Sequence, residues 1–396
     1  MAGPLEGYRV IDLSAMISGP IATMMLADQG ADVIKVEPPK LGDLVRGIGG
    51  NPTGISPLFS TSNRSKRSIA IDLKHSDGVA LLKRLVATAD VFVQNFRPGA
   101  VDRMGIGEAV MREVRPDLVY VSISGFGETG PYSQKRVYDP VIQALSGLAS
   151  IQGDRATGRP RMVRTVVPDK LTAVTAAQAI TAALLARERT GEGQHVRLAM
   201  LDAMISFLWP EAMMRYTFVR EDEDDRRPAV PQTRDLVFET TDGFITAGTV
   251  SDREWAGFAR AVGRPELIED PRFKNGTARV VNWDERLELM QDALRTASSA
   301  EWIERLDAEQ VPCGPILSRR DLLDDPQIAA NELIVESDHP VVGRVRQTRP
   351  AARFERTPAE IRRPAPTLGQ HTDEVLADLG LTDSEIAKLR ESGVAA

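Results

Sequence analysis

One aspartate, Asp169, lies between Pro168 and a run of small and apolar residues, "LTAVTAAQAITAALLA". The run predicts a helix, and Asp is among the best residues to cap a helix start because its carboxylate accepts free backbone N–H groups. A carboxylate at the positive end of a helix dipole also stays ionised and aimed, as a carboxylate nucleophile requires. The local sequence therefore predicts an N-cap at Asp169 and leaves a catalytic role open.

A second candidate group is basic. The stretch "NRSKRSIAIDLK" places Arg64, Lys66, Arg67 and Lys74 around a predicted strand. Such cations usually form a solvated edge, although at a strand end of an α/β sheet they can also clamp phosphates. The sequence predicts the solvated edge and keeps the phosphate clamp as the alternative.

A third candidate follows the next predicted strand, in "VQNFRPGAVDRMGIG". Asn95 and Phe96 come directly after the strand, Arg97 lies in the turn, and Arg103 follows about one helical turn later. An amide, an aromatic face and two guanidinium groups could hold an adenine nucleotide. A plain strand-to-helix loop explains the same residues equally well.

Downstream, "ISGFGETGPYSQKRVYDP" is rich in glycine, which permits close backbone approach to a ligand. Asp139 before Pro140 is typical of a helix start, so this aspartate is predicted to be a cap. Neither a G-x-S-x-G nucleophile elbow nor a P-loop is present in the sequence.

Strands and helices alternate around these residues. "YRVIDL", "IATMMLADQG" and "ADVIKVEPP" read as strand, helix and strand, and "SIAIDL", "DVFVQNF" and "DLVYVSISGFG" continue the series. This rhythm predicts an α/β fold with a Rossmann-like open parallel sheet. The first strand is not followed by G-x-G-x-x-G, so a standard NAD or FAD site is not expected.

The charged, proline-containing segment 220–234, "REDEDDRRPAVPQTR", predicts a linker. After it, "LVFETTDGFITAG" predicts a hairpin around Thr241–Gly243, and several helical stretches follow. A length of 396 residues also favours two domains.

The whole-chain composition limits the function. The net charge of −7 argues against a nucleic-acid-coating protein. The single cysteine and four scattered histidines predict neither a disulfide nor a metal site. The amino terminus does not read as a signal peptide, and the longest apolar run, 171–186, is too short for a bilayer. We therefore expect a cytoplasmic protein without membrane or nucleic-acid partners.

Together and in this order, the stretches resemble the family III CoA-transferases, which include formyl-CoA and carnitine CoA-transferases. The resemblance runs from about Leu5 to Gly380 and includes "LEGYRVIDLS", "SGP", "LADQGADVIKVEPP", "NRSKRSIAIDLK", "VQNFRPGAVDRMGIG", "YVSISGFGETGP", "YDPVIQALSG", "PDKLTA", "RTGEGQHVRLAMLDA", "VPCGPI" and "LGQHTDEVLADLG". Each piece is weak alone, but a full set in one order is specific.

The resemblance implies that Asp169 attacks an acyl-CoA thioester and passes CoA to a free carboxylic acid through aspartyl anhydride and aspartyl-CoA intermediates. Coenzyme A is then a substrate, and no permanently bound cofactor or metal is expected. The positions that match the family's CoA contacts are Met16, Ile17, Leu73, Lys74, Asn95, Phe96, Arg97, Arg103, Arg136 and Tyr138.

The resemblance also implies an interlocked homodimer, with each active site between the large domain of one chain and the small domain of the other. The large Rossmann-like domain would comprise residues 1–219 and 330–396, and a smaller α+β domain residues 235–329.

Two differences from the family pattern bear on which reaction the chain catalyses. Oxalate-type members have a glutamine where Ile17 stands and a glycine run in the small domain, so the sequence predicts a larger or less polar acid than formate or oxalate. Racemase relatives have a histidine where Tyr138 stands, and tyrosine is a much weaker base. A CoA-transferase is thus favoured over a 2-methylacyl-CoA racemase or a non-catalytic acyl-CoA-binding protein.

Overall fold

The computed structural model describes residues 3–50, 52–154, 156–219 and 235–396. They divide into two compact units. The first comprises the described parts of Met1–Gly153, Pro160–Glu223 and Glu332–Ala396, and the second those of Asp154–Arg159 and Asp224–Asn331. The linker predicted at 220–234 lies outside the described residues.

The strands that the structure describes are β1 (Arg9–Asp12), β2 (Asp32–Glu37), β3 (Arg67–Ala70), β4 (Val91–Gln94), β5 (Val119–Ser124), β6 (His195–Ala199), β7 (Phe238–Glu239), β8 (Phe244–Ala247), β9 (Cys313–Pro315), β10 (Ile334–His339) and β11 (Gly343–Thr348).

The α-helices are α1 (Ser18–Asp28), α2 (Pro57–Ser62), α3 (Ser76–Val86), α4 (Ala100–Arg103), α5 (Glu108–Val114), α6 (Asp139–Leu145), α7 (Leu148–Ile151), α8 (Val167–Thr190), α9 (Met200–Ala212), α10 (Met214–Thr217), α11 (Asp252–Ala261), α12 (Gly276–Val281), α13 (Trp283–Leu294), α14 (Ser299–Ala308), α15 (Pro326–Ala330), α16 (Thr372–Asp378) and α17 (Asp383–Glu391). Short 3-10 turns occur at Leu44–Gly47, Pro265–Ile268 and Asp321–Leu323.

The first unit contains a six-stranded sheet in the order β3-β2-β1-β4-β5-β6. All neighbouring strands are parallel, and Ile11 at the centre lies opposite Ile34 on one side and Phe92 on the other. This order is typical of the Rossmann fold and confirms the predicted open parallel sheet. The short apolar runs form strands here because helices cover both faces of the sheet.

Alternate residues of β1 face opposite sides of the sheet. Ile11 packs into a core shared with α3, α5, α16 and α17, whereas Val10 packs into one shared with α1 and α8. Small residues such as Ala22 on α1 and Ala176 on α8 are fully buried there. The helix that starts near Asp169 therefore lies directly beside the helix that follows β1.

The second unit contains the antiparallel sheet β7-β8-β9. Glu239 pairs with Phe244, which confirms the hairpin predicted around Thr241–Gly243. Its core includes Trp255 stacked on Phe258, with ring centroids 5.7 Å apart, and side chains of α11, α13 and α14. This unit is α+β, as predicted for the smaller part of the chain.

The solvated basic edge predicted around β3 is wrong for three of its four cations. Arg64, Lys66 and Arg67 are buried, and each is already neutralised by an acid of the same unit, so they are not available as a phosphate clamp either. The ion pairs are Arg64–Asp28 at 2.9 Å, Lys66–Asp12 at 2.9 Å and Arg67–Asp32 at 2.5 Å. Only Lys74 of this stretch is exposed.

Neither a membrane-spanning helix nor a metal-binding cluster occurs in the part of the chain that the structure describes. No helix there combines the length and apolar character needed to cross a membrane. No group of three or more His, Cys, Asp or Glu side chains there is arranged to hold a metal ion.

Candidate active site

The carboxyl ends of β1 and β4 meet where the strand order reverses, which is where open α/β sheets bind ligands. The Asn95 side chain, just after β4, joins the two loops. Its Oδ1 accepts the Ala15 N–H at 2.9 Å, and its Nδ2 donates to the Ala15 carbonyl at 2.7 Å. The structure thus brings together two of the segments to which the family resemblance assigns CoA contacts.

Met16, beside Ala15, has a positive φ of 70°, a conformation that is uncommon outside glycine. Asp43 holds it, because its Oδ1 accepts the Met16 N–H at 3.1 Å while its Oδ2 pairs with the buried Lys35 ammonium at 3.0 Å. Backbone strain of this kind clusters at ligand sites. The next residue, Ile17, is buried, so it offers a ligand chiefly its backbone.

The helix cap predicted at Asp169 is wrong. α8 begins at Val167, the N-cap position is occupied by Val166, and Asp169 is the third helical residue. Pro168 fits the first turn of a helix, so the helix starts before Asp169 and not at it. The Asp169 N–H is instead bound by the Oδ2 of Asp139, at 3.2 Å.

Asp139 was likewise predicted to cap its own helix, and this prediction is also wrong. Tyr138 occupies the N-cap position of α6, and Asp139 is the first helical residue. Its carboxylate is buried, and its Oδ1 accepts the Gln143 side-chain amide at 2.7 Å. Asp139 therefore satisfies a backbone N–H at the start of α8, a different helix.

The Asp169 carboxylate lies in a mixed environment. Burial and the negative charge of Asp139 raise its pKa to about 6, while hydrogen bonding from the backbone N–H and hydroxyl of Ser18 acts in the opposite direction. Ser18 is the first residue of α1, where free N–H groups favour an anion. The result is a carboxylate that is mostly ionised at neutral pH and more basic than an ordinary aspartate.

The raised pKa of Asp169 predicts an acid limb in the pH dependence of the reaction. Only the ionised carboxylate can attack, so protonation below a pKa of about 6 removes the nucleophile. We expect kcat/KM for acyl-CoA to be constant above about pH 7 and to fall about tenfold per unit well below the pKa. Initial rates between about pH 4.5 and 8.5 measure this, and a limb near the ordinary aspartate value of about 4 contradicts it.

A cleft of about 540 Å³ lies beside the carboxyl ends of β4 and β5. Phe96, Arg97 and Arg103 line it, together with Tyr120 of β5 and the edge-strand residue His195. The Arg97 side chain is exposed, whereas that of Phe96 packs partly into the core. The loop predicted either to hold a nucleotide or to be a plain connection therefore borders a cavity.

His195 is a lining residue that the sequence did not single out. Its Nε2 lies 2.8 Å from the Ser122 hydroxyl, which accepts the Gln94 side-chain amide at 2.9 Å. Gln94 in turn accepts the Phe96 N–H at 2.8 Å. The four histidines are scattered in the sequence, and only the pairing of β5 with β6 brings His195 to this wall.

The other predicted contact residues are more dispersed. Leu73 packs partly against the core that also contacts Phe96, while Lys74 is exposed after β3. Arg136 and Tyr138 are exposed in the segment leading to α6. Tyr138 directly precedes Asp139 and so lies close to the start of α8, but no described contact joins Lys74 or Arg136 to the nucleophile.

Asn95 provides a direct test of the loop geometry. Asn95→Asp keeps an acceptor for the Ala15 N–H but turns a carboxylate oxygen towards the Ala15 carbonyl, so we expect kcat/KM for acyl-CoA to fall about tenfold. Gln134→Glu, which makes the same amide-to-acid change at an exposed residue of the cleft, is the control. Steady-state kinetics of the two variants measure the effect, and equal losses contradict a specific role for Asn95.

The chain matches a known family along nearly its whole length. The profile of CoA-transferase family III matches residues 5–372. The chain is 34% identical to the human succinyl-CoA:glutarate CoA-transferase, covering 99% of this chain and 90% of that protein. It is 36% identical to a formyl-CoA:oxalate CoA-transferase from Streptomyces coelicolor, covering 99% of each, and 33% identical to a succinyl-CoA–D-citramalate CoA-transferase from Chloroflexus aurantiacus, covering 99% and 98%.

Solved structures also match the chain over nearly its whole length. A CaiB/BaiF family protein from Brucella suis has a TM-score of 0.80 and 31% identity, covering 96% of this chain and all of that one. A protein from Mycobacterium tuberculosis has a TM-score of 0.82 and 30% identity, covering 94% and 98%. The sequence resemblance and the fold therefore point to the same family.

Proposed function

Because the chain belongs to CoA-transferase family III and is a CoA-transferase, we propose that Asp169 is the nucleophile through which CoA passes from an acyl-CoA thioester to a free carboxylic acid. The observation that carries this proposal is the environment of Asp169. Its carboxylate lies at the start of α1, beside the strand-order reversal, and its pKa is raised to about 6.

In the first half-reaction, a carboxylate oxygen of Asp169 attacks the thioester carbonyl carbon and the C–S bond breaks. CoA leaves as a thiolate, and a mixed anhydride forms on Asp169. The thiolate then attacks the Asp169 carbonyl carbon of this anhydride. The donor acid departs as a carboxylate, and an aspartyl-CoA thioester remains.

In the second half-reaction, the acceptor carboxylate attacks the aspartyl carbonyl carbon and releases the CoA thiolate again. The thiolate then attacks the acceptor carbonyl carbon of the new anhydride, which yields the product acyl-CoA and frees Asp169. Each bond that forms is about as activated as the one that breaks, so little free energy is lost between steps. No net proton is taken up, and Asp169 is the protein side chain on which the covalent intermediates form.

The loops around the strand-order reversal bind CoA in this proposal. Met16 and Ile17 offer backbone groups beside the nucleophile, while Arg97 and Arg103 of the cleft suit phosphate oxygens. Lys74 and Arg136, both exposed, supply further positive charge for the nucleotide end.

The acid that this enzyme uses is larger or less polar than formate or oxalate. Met16 gives the loop before α1 a partly exposed apolar side chain, and no glutamine stands at position 17. Relatives at 34% and 33% identity are named for succinyl-CoA with glutarate or D-citramalate, and one at 36% identity is named for formyl-CoA with oxalate. Several CoA donors offered in turn with a panel of mono- and dicarboxylic acids test this, with product acyl-CoA identified by mass spectrometry. Preference for formyl-CoA with oxalate would refute this choice of acid but not the transfer itself.

Trapping tests the nucleophile. Hydroxylamine added to enzyme turning over an acyl-CoA converts an aspartyl thioester or anhydride to a hydroxamate, which peptide mapping should locate at Asp169. An unmodified Asp169 in active enzyme would exclude the covalent route. Deuterium uptake at the α-carbon without carboxylate exchange would favour the racemase alternative, which the exposed Tyr138 does not support as a base.

The working enzyme is a homodimer in this proposal, as the family resemblance implies. Large apolar side chains on or beside α9 and α10, among them Phe207 and Phe218, are 59% and 76% exposed in the single chain, as expected of an interface. Light scattering of the purified protein would distinguish a dimer from a monomer. Fractionation of cells that produce a tagged chain would test the predicted cytoplasmic location.

A further inference from the structure

Two side chains of α6, one helical turn apart, hold the start of α8. Asp139 Oδ2 accepts the Asp169 N–H at 3.2 Å, and Asp139 Oδ1 accepts the Gln143 Nε2 at 2.7 Å. Gln143 also binds the segment that leads into α8, because its Oε1 accepts the Val163 N–H at 2.9 Å and its Nε2 lies 3.3 Å from the Thr165 carbonyl. Both α6 side chains are buried, so water does not compete for these hydrogen bonds.

The contact also brings a second carboxylate beside the nucleophile. The charge of Asp139 raises the pKa of Asp169, in the same direction as burial. Two nearby carboxylates disfavour one another's ionised form. An ionised Asp169 is therefore less stable here than it would be without Asp139.

Within the part of the chain that the structure describes, no positive side chain offsets this repulsion at Asp169. The start of α1 contributes the N–H and hydroxyl of Ser18, which are neutral hydrogen-bond donors. Lys170, the next residue on α8, donates to the Thr165 hydroxyl at 2.9 Å. Among the described groups, Asp139 is the charged side chain that acts on Asp169.

On the basis of the proposed function, we infer that Asp139 is a positioning residue that fixes the backbone of Asp169 and favours its acylated form over its free carboxylate. When Asp169 attacks a thioester, the negative charge moves from its carboxylate to the departing CoA sulfur. The anhydride and thioester on Asp169 are neutral, so the repulsion from Asp139 is relieved as each forms. Gln143 shares the positional role but carries no charge.

A matched pair of variants separates charge from position. Asp139→Asn removes the charge, and we expect the acid limb of kcat/KM for acyl-CoA to move down by about one pH unit. The rate of hydroxylamine-trapped adduct formation in a single turnover should fall about tenfold. Gln143→Leu loosens the start of α8 without a charge change, so its rate should fall about tenfold while its acid limb stays at the wild-type pH.

The overturning result is an Asp139→Asn variant whose rate falls while its acid limb stays at the wild-type pH, which would make Asp139 a structural contact only. Asp139→Ser is a second uncharged variant that gives the same readout if the asparagine variant does not fold. If Asp169 is not labelled in the wild-type enzyme either, the proposed function fails and not this inference alone.

Discussion

Replacement of Asp169 by asparagine is expected to lower the rate of CoA transfer by at least about four orders of magnitude, because loss of a catalytic nucleophile can cost up to about six. The amide is close to the carboxylate in size, so it can keep the contacts at the starts of α1 and α8. It cannot form the anhydride or the thioester, because an amide is not a nucleophile towards a thioester. Exchange between acyl-CoA and an isotopically labelled acid measures the loss.

Two controls accompany the asparagine variant. Asp169→Ala guards against hydrolysis of asparagine back to aspartate, and Lys170→Ala changes an exposed neighbour whose side chain binds only Thr165 among the described contacts. Calorimetry of CoA binding shows whether the site is intact in each variant. An Asp169 variant that folds and keeps more than about a tenth of the wild-type rate would assign the nucleophile to another residue.

The architecture of the large sheet could be predicted because its signals are local. Each strand is a short apolar run, and helix-forming stretches separate these runs, so the α/β alternation is visible in the sequence. Right-handed crossovers then decide on which face of the sheet each connecting helix lies. The absence of G-x-G-x-x-G after the first strand did not affect this prediction, because that motif indicates a dinucleotide ligand and not the architecture of the sheet.

The surroundings of Asp169 could not be predicted because they depend on distant residues. A cap is a local feature, so Asp169 and Asp139 were each assigned to the nearest helix start. The structure connects them to each other across 30 residues of sequence, and it connects Asp169 to Ser18 at the start of α1. The pKa of Asp169 follows from these tertiary neighbours, so the sequence alone gave only the residue type.

The prediction of a solvated basic edge at β3 was wrong for the same reason. Arg64 pairs with an acid 36 residues earlier and Lys66 with one 54 residues earlier, and neither acid is marked locally as a partner. His195 was missed because a lone histidine on a strand carries no signal of its own. By contrast, the family resemblance supplied Asn95 and Met16 in order along the chain, and the structure joins their loops.

Replacement of Lys66 by methionine is expected to lower the free energy of unfolding by about 3 to 5 kcal/mol, because it leaves a buried charge without its partner. The Lys66 ammonium lies 2.9 Å from Asp12 Oδ2, 2.8 Å from the Pro20 carbonyl and 2.8 Å from Asn63 Oδ1. Neither Lys66 nor Asp12 reaches solvent. Methionine fills a similar volume, so the loss reports mainly on the charge and its hydrogen bonds.

Lys74→Met is the matched control, because it makes the same change eight residues later at an exposed side chain. Its unfolding free energy should stay within about 0.5 kcal/mol of wild type, while its KM for acyl-CoA should rise severalfold if Lys74 contacts a phosphate. Urea denaturation and steady-state kinetics of both variants make the comparison. Equal unfolding free energies for the two variants would contradict a buried Lys66 ion pair and support the solvated edge that the sequence predicted. If only Lys66→Met lowers the free energy of unfolding, Lys66 stabilises the end of β1, whereas the exposed Lys74 remains available to bind CoA.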